Sequence, residues 1–319
     1  PRTYQLYAPA ALERPLRYLD AWIIGQSYFW RGAYDEALPL LTEAQRLLPR
    51  QAPIDRRQAM DRFAADLNWQ LGYIAGPAQG NWQAARDLFR AALRLAPHDP
   101  APALGLAAAL AQLNDIPQAA EILRQTLRSR PDAWQVHFAL AEIAAQQGDS
   151  GIALTNYEQA ITLLAVTPGA EHSLADIYLS RGYYWLDLDD PQKAQADLQQ
   201  AVDLGREDVT LYASLGWLVY EAGDFESAVR HSAAARQLAP DRPDLAFNEA
   251  LHLLAAGQID AARIAYAEAI DLTLTFADVI TRSTYFGGAY YDLADLAARQ
   301  PEKAEIIAEL QERIDLANG

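Results

Sequence analysis

The sequence predicts an all-α solenoid built from helix–turn–helix units, on three observations. Alanine recurs at one register in seven successive units, as Ala37, Ala85, Ala119, Ala153, Ala194, Ala228 and Ala262. A second register, seven residues later, reads Ala44, Ala92, Thr126, Ala160, Ala201, Ala235 and Ala269. Four of the six intervals between units span 34 residues, and a short polar turn divides each unit into two blocks with helical apolar spacing. A fixed period of this size marks stacked units that bury their apolar faces only against one another.

Taken in order, residues 1–17 carry Tyr4, Leu6, Tyr7, Pro9 and Pro15 without helical period, which predicts an extended N-terminal arm. Seven units follow over 18–276, starting at Tyr18, Asp66, Pro100, Trp134, Ala175, Val209 and Pro243. The first interval is 14 residues longer than the repeat. Its extra stretch sets Ile54, Met60 and Phe63 at helical spacing among Asp and Arg, which predicts an extended first helix for the second unit. That unit's small residue, Gly72, falls one place early and predicts an extra residue in the turn before Gly80. The seven-residue insertion near Pro168–Leu174 predicts a longer turn. Residues 277–319 predict C-terminal capping helices. An aromatic run, Tyr285 to Tyr291, precedes an amphipathic segment with Ile306, Ile307, Leu310 and Ile314 opposite Glu302, Glu305, Glu309 and Glu312.

The turns explain themselves. They read Gly32-Ala33, Gly80-Asn81, Asn114-Asp115, Gly148-Asp149, Asp189-Asp190, Gly223-Asp224 and Gly257-Gln258. The first residue suits a left-handed helix end, and Asp or Asn in second place suits the cap of the next helix.

Small residues at Gly25, Ala107, Ala141, Gly182, Gly216 and Ala250 let each first helix lie close to its second. With the ladder alanines, the turn glycine and a closing proline such as Pro240, the sixth unit resembles the tetratricopeptide repeat family. The first unit matches nearly as well, through Gly25, Tyr28, Gly32, Ala37, Ala44 and Pro49. The resemblance covers about 18–276 and implies a right-handed superhelical solenoid that binds protein partners. In that family the first helices line a concave groove. Carried over by position, the groove implied here holds Trp22, Gln26, Phe29, Trp30, Phe138, Glu142, Tyr183, Trp217, Tyr220 and Phe247. These side chains are aromatic, amide or acidic, so the resemblance does not extend to members that clamp acidic tails with Lys and Arg. An apolar or aromatic protein segment is the expected guest.

Composition narrows the function further. The chain of 319 residues carries 42 acidic against 26 basic residues, a net charge of −16, which disfavours nucleic acid and anionic membrane. Cysteine is absent, which removes disulfides, thiolate metal sites and cysteine nucleophiles. No apolar run reaches the ~18 residues of a membrane span. Pro1 in place of methionine leans toward an exported protein whose leader has been removed. No nucleophile elbow, phosphate-cradling loop or His-Glu-x-x-His motif occurs. The five histidines stand singly in different units and read as packing residues. Asp187-Leu188-Asp189-Asp190 lacks the other ligands of a calcium loop and reads as a turn and cap.

No catalytic, cofactor or metal residue is therefore expected, and the chain is read as a non-enzyme. The preferred function is a protein-interaction scaffold that forms homo-oligomers. It would self-associate head-to-tail or by exchange of the arm through Tyr4, Leu6 and Tyr7, giving a filament where the contact does not close. The alternatives are a monomeric adaptor that holds a partner's apolar segment in the groove, and a non-catalytic subunit of an enzyme complex.

Overall fold

The computed structural model describes residues 17–51 and 57–318, all helix and turn. The predicted arm over 1–17, with Tyr4, Leu6 and Tyr7, lies outside the described residues apart from Arg17. The chain divides into two compact units that meet in sequence at Thr167 and Pro168.

The first unit contains α1 (Tyr18–Phe29), α2 (Tyr34–Gln51), α3 (Arg57–Tyr73), α4 (Trp82–Leu95), α5 (Pro100–Gln112), α6 (Ile116–Ser129), α7 (Trp134–Gln146) and α8 (Ser150–Ala165). The second contains α9 (Glu171–Asp187), α10 (Pro191–Asp203), α11 (Val209–Glu221), α12 (Phe225–Leu238), α13 (Pro243–Ala255), α14 (Ile259–Leu274), α15 (Val279–Arg299) and α16 (Ala304–Asn318). Within each unit the helices pair antiparallel in chain order, and successive pairs stack.

The alanine ladder is the seam of this stack. Thirteen of its fourteen positions are alanines at 0% exposure, and the fourteenth, Thr126, is at 5%. Larger side chains would overpack a contact already at crystal-like density. Thr126 fits because its hydroxyl donates to the Ile122 carbonyl at 2.9 Å inside its own helix.

All seven turns take the same form. Gly32, Gly80, Asn114, Gly148, Asp189, Gly223 and Gly257 each have φ between 58° and 83°. The following Asn or Asp caps the next helix in five of them: Asn81, Asp115, Asp149, Asp190 and Asp224 accept a backbone N–H three residues on at 3.1–3.3 Å. The turn after α3 holds the extra residue that Gly72 predicts. Ile74–Ala78 winds one wide π turn around Pro77, and Asn81 N–H reaches back to Ala75 at 2.6 Å. The equivalent bond elsewhere spans one residue less, as from Asp224 to Val219 at 2.8 Å.

Of the helix expected across the first insertion, Met60 and Phe63 lie in the N-terminal part of α3, from Arg57, while Ile54 lies outside the described residues. The second insertion differs from expectation. Only its first part is turn, and α9 begins at Glu171, four residues before Ala175. Glu171 lies in the first turn of that helix, where a carboxylate complements the exposed N–H groups.

Ion pairs tie the helices across the seam. Arg181 of α9 grips Asp197 of α10 with two bonds of 2.7 and 2.8 Å, both side chains largely buried. Arg236 of α12 bridges Glu249 of α13 and Glu268 of α14 at 2.7 and 2.6 Å. At the C-terminal end α15 and α16 stack on α13 and α14 as a further pair. Ile307, Leu310 and Ile314 of α16 face inward, and Arg263 of α14 holds Glu309 at 2.7 Å.

Candidate functional site

Within each unit, several of the groove residues implied by the resemblance are buried. Phe29, Tyr220 and Phe247 are 4%, 2% and 4% exposed and belong to the core. Each ring fills the gap between consecutive helix pairs. Phe29 meets Trp69 and Tyr73 of α3 at 6.0 and 5.5 Å, and Phe247 meets Phe286 of α15 at 6.3 Å. Sequence position alone does not say which way such a ring turns, and edge-to-face aromatic packing draws it inward. Trp22 is half-buried against Phe63 at 4.8 Å, with its indole N–H enclosed and unpartnered. Phe138 packs on Tyr157, whose hydroxyl donates to Glu142. Tyr183 lies half-buried beside the Leu198–Leu211 core, and Gln26 is half-buried on α1. Trp30 alone among the ten stands clear, at 68% exposure.

Tyr220 and Trp217 belong to a cluster that sequence reading missed. His252 of α13 stacks on Tyr220 at 5.1 Å and meets Trp217 at 5.5 Å. Gly216 makes room for it, since a Cβ there would stand 3.3 Å from the imidazole. Its Nδ1 bonds to the Ala228 carbonyl at 3.2 Å, while Nε2 is enclosed without a partner. Burial pushes His252 down to about 4 and Tyr220 up to about 12. Nearby, burial and the neighbouring Asp295 push Asp292 up to about 6. The neutral imidazole and neutral phenol are packing groups at neutral pH. A signal for His252 existed in the paired small residue, Gly216, one unit earlier.

Among the described residues no group of three or more His, Asp or Glu side chains could hold a metal ion. Asp190 instead caps α10 and pairs with Lys193 at 2.7 Å, while Asp189 supplies the left-handed turn. No described helix is long and apolar enough to cross a membrane.

The accessible apolar surface lies elsewhere. Eight of the thirteen exposed large hydrophobics belong to α1 and its end, α15 and α16. On α1, Leu19, Ile23 and Trp30 are 43%, 57% and 68% exposed, with Gln26 between them. Their spacing of four, three and four residues places them on one face. On α15, Ile280, Thr284, Gly287, Tyr291, Ala294 and Ala298 form an exposed stripe without a charge. Between α15 and α16 this stripe borders a hollow of about 200 Å³, lined by Phe286, Gly287, Tyr290, Ile314, Asp315 and Asn318.

Sequence models described as tetratricopeptide repeat match residues 78–143, 179–243 and 214–273, together half of the chain. This chain belongs to the tetratricopeptide repeat family. Members of the family are generally non-catalytic scaffolds that bind protein partners. Among solved structures, the chain is similar to pilF of Pseudomonas aeruginosa at 17% identity, covering 72% of this chain and 99% of that one with a TM-score of 0.54. It is also similar to BtubC of P. vanneervenii at 21% identity, covering 62% and 85% with a TM-score of 0.51. At these identities the likeness shows the fold. No curated protein matches the chain.

Proposed function

We propose that the protein is a non-enzymatic scaffold that associates with copies of itself head-to-tail. The observation that carries this reading is the placement of its exposed apolar side chains, concentrated on the first described helix and on the last helix pair. In a repeat array each helix pair buries this face against a neighbouring pair, and a face left without a neighbour usually carries a polar covering. α16 has that covering: Glu302, Glu305 and Glu312 lie on or beside its exposed side. α1 does not, and neither does the outer face of α15. Tryptophan and tyrosine on such faces are typical interface anchors. A contact between unlike faces builds rings or open filaments according to whether its rotation closes.

The adaptor reading is supported less, because most of the implied groove aromatics are spent on packing between helix pairs. Light scattering of the full chain across a concentration series tests the proposal, with negative-stain microscopy of the concentrated sample. Mass that grows with concentration, with rings or rods on the grid, is expected. A monomer at every concentration overturns it.

A further inference from the structure

The self-association proposed above leaves open which surfaces meet, and the two apolar faces differ in shape. The α1 face is bulky. Leu19, Ile23 and Trp30 project from it, and Trp30 rests edge-on against Phe29 at 5.1 Å while most of its indole faces solvent. Two repeats on, Gly105 occupies the place of Ile23. Phe89 of the preceding helix pair lies 2.5 Å from where its Cβ would be. The α1 face is therefore the one that interior repeats use to receive a neighbouring helix.

The α15 face is the reverse. Gly287 and Gly288 have no other atom within 4 Å of a Cβ built on them, so the helix backbone itself forms the floor. Beside it opens the hollow between α15 and α16, with apolar walls from Phe286, Tyr290 and Ile314. Asp315 and Asn318 at its rim supply oxygen acceptors. An indole is a large apolar ring with one N–H donor, so it matches both features.

Charge agrees with shape. In a chain of net −16, the described residues 17–33 carry Arg17 and Arg31 against Asp20. Residues 279–318 carry seven acids against four bases. The positive end of one copy and the negative end of another attract, and like ends repel.

We infer that Trp30 of one copy enters the hollow beside Gly287 of a second copy, with Leu19 and Ile23 lying along the uncharged stripe of α15. This rests on the self-association reading and adds its two unlike faces. The partner is a second copy of this chain.

The test uses Trp30→Ser and Gly287→Gln in the full chain. Glutamine at 287 meets no protein atom within 4 Å of its Cβ and is a better helix former than glycine, so the fold keeps or gains thermal stability. Each variant alone is expected to associate about tenfold or more weakly than the parent, as loss of an anchor does. Mixed, they are expected to form a one-to-one dimer and nothing larger, since each retains one intact face.

If the parent associates and either variant leaves association within about twofold, the pairing is wrong while self-association stands. If both variants fail alone and the mixture does not recover, the two sites do not meet each other and the pairing is wrong. If only deletion of Pro1–Leu16 abolishes association, arm exchange is the contact and the pairing is again wrong. A parent that stays monomeric overturns both the pairing and the reading beneath it.

Discussion

α1 and α5 hold the same place in their repeats, yet they treat the same face differently. Ile23 of α1 is 57% exposed, while Gly105 of α5 lies under Phe89. Ile24 is half-buried, whereas its counterpart Leu106 is 1% exposed. The repeat thus encodes a two-faced helix, and neighbours decide whether one or both faces are used. Charges follow the same division. Interior α9 anchors itself through the buried Arg181–Asp197 pair, while α1 has only Arg17–Asp20, with side chains 78% and 39% exposed.

The largest break in this comparison is expected at the ion pairs. Asp197→Ala leaves the Arg181 charge enclosed without its main partner, and should cost about 3–5 kcal/mol in chemical denaturation. Asp20→Ala on α1 should change stability by no more than about 0.5 kcal/mol. Equal losses would mean that α1 is as fully embedded as α9.

An exchange at the equivalent positions sharpens the comparison next. Gly105→Ile drives a branched side chain into Phe89 and should lower stability by about 1–3 kcal/mol. Ile23→Gly should cost only about 1 kcal/mol through helix propensity, and should weaken self-association instead. Thermal melts and light scattering on both variants separate the two effects.

The smallest effect concerns pH at the other end. His252, depressed to about 4 from 6.5, favours the unfolded chain increasingly as pH falls through that window. Asp292, raised to about 6 from 3.8, acts oppositely: its contribution is present at low pH and lost as pH rises toward 6. Asp292→Asn removes this opposing contribution. The variant should be more stable at neutral pH by about 1 kcal/mol, discounted for the residue's partial exposure. Its stability should also fall more steeply between about pH 6.5 and 4, where His252 then acts alone. Urea unfolding at several pH values checks both, and a parallel shift without a change of slope would mean that Asp292 does not titrate between those pH values.

How much of this was legible follows from the range of the forces involved. The turns and the ladder were readable because each depends on local geometry. A left-handed backbone at Gly223 and a cap at Asp224 need only adjacent residues, and an alanine seam needs only the period. The start of α9 at Glu171 does not follow from the repeat register; its signal is local, an acidic residue just past Pro168-Gly169. Phe29, Tyr220 and Phe247 were misplaced for a different reason. Whether an aromatic ring lines a groove or plugs a gap depends on what the next helix pair offers, and Trp69, His252 and Phe286 are far away in sequence. The α15 face was legible only as an aromatic run, since the openness of Gly287 depends on what does not pack there.

The π turn at Ile74–Ala78 has a consequence for how such an array changes length. One surplus residue is stored there as a wider loop of backbone, and Ala85 and Ala92 downstream still arrive at the seam fully enclosed. The turn works as a shim: a single inserted residue is absorbed beside the fault, and the spacing of every later helix is spared.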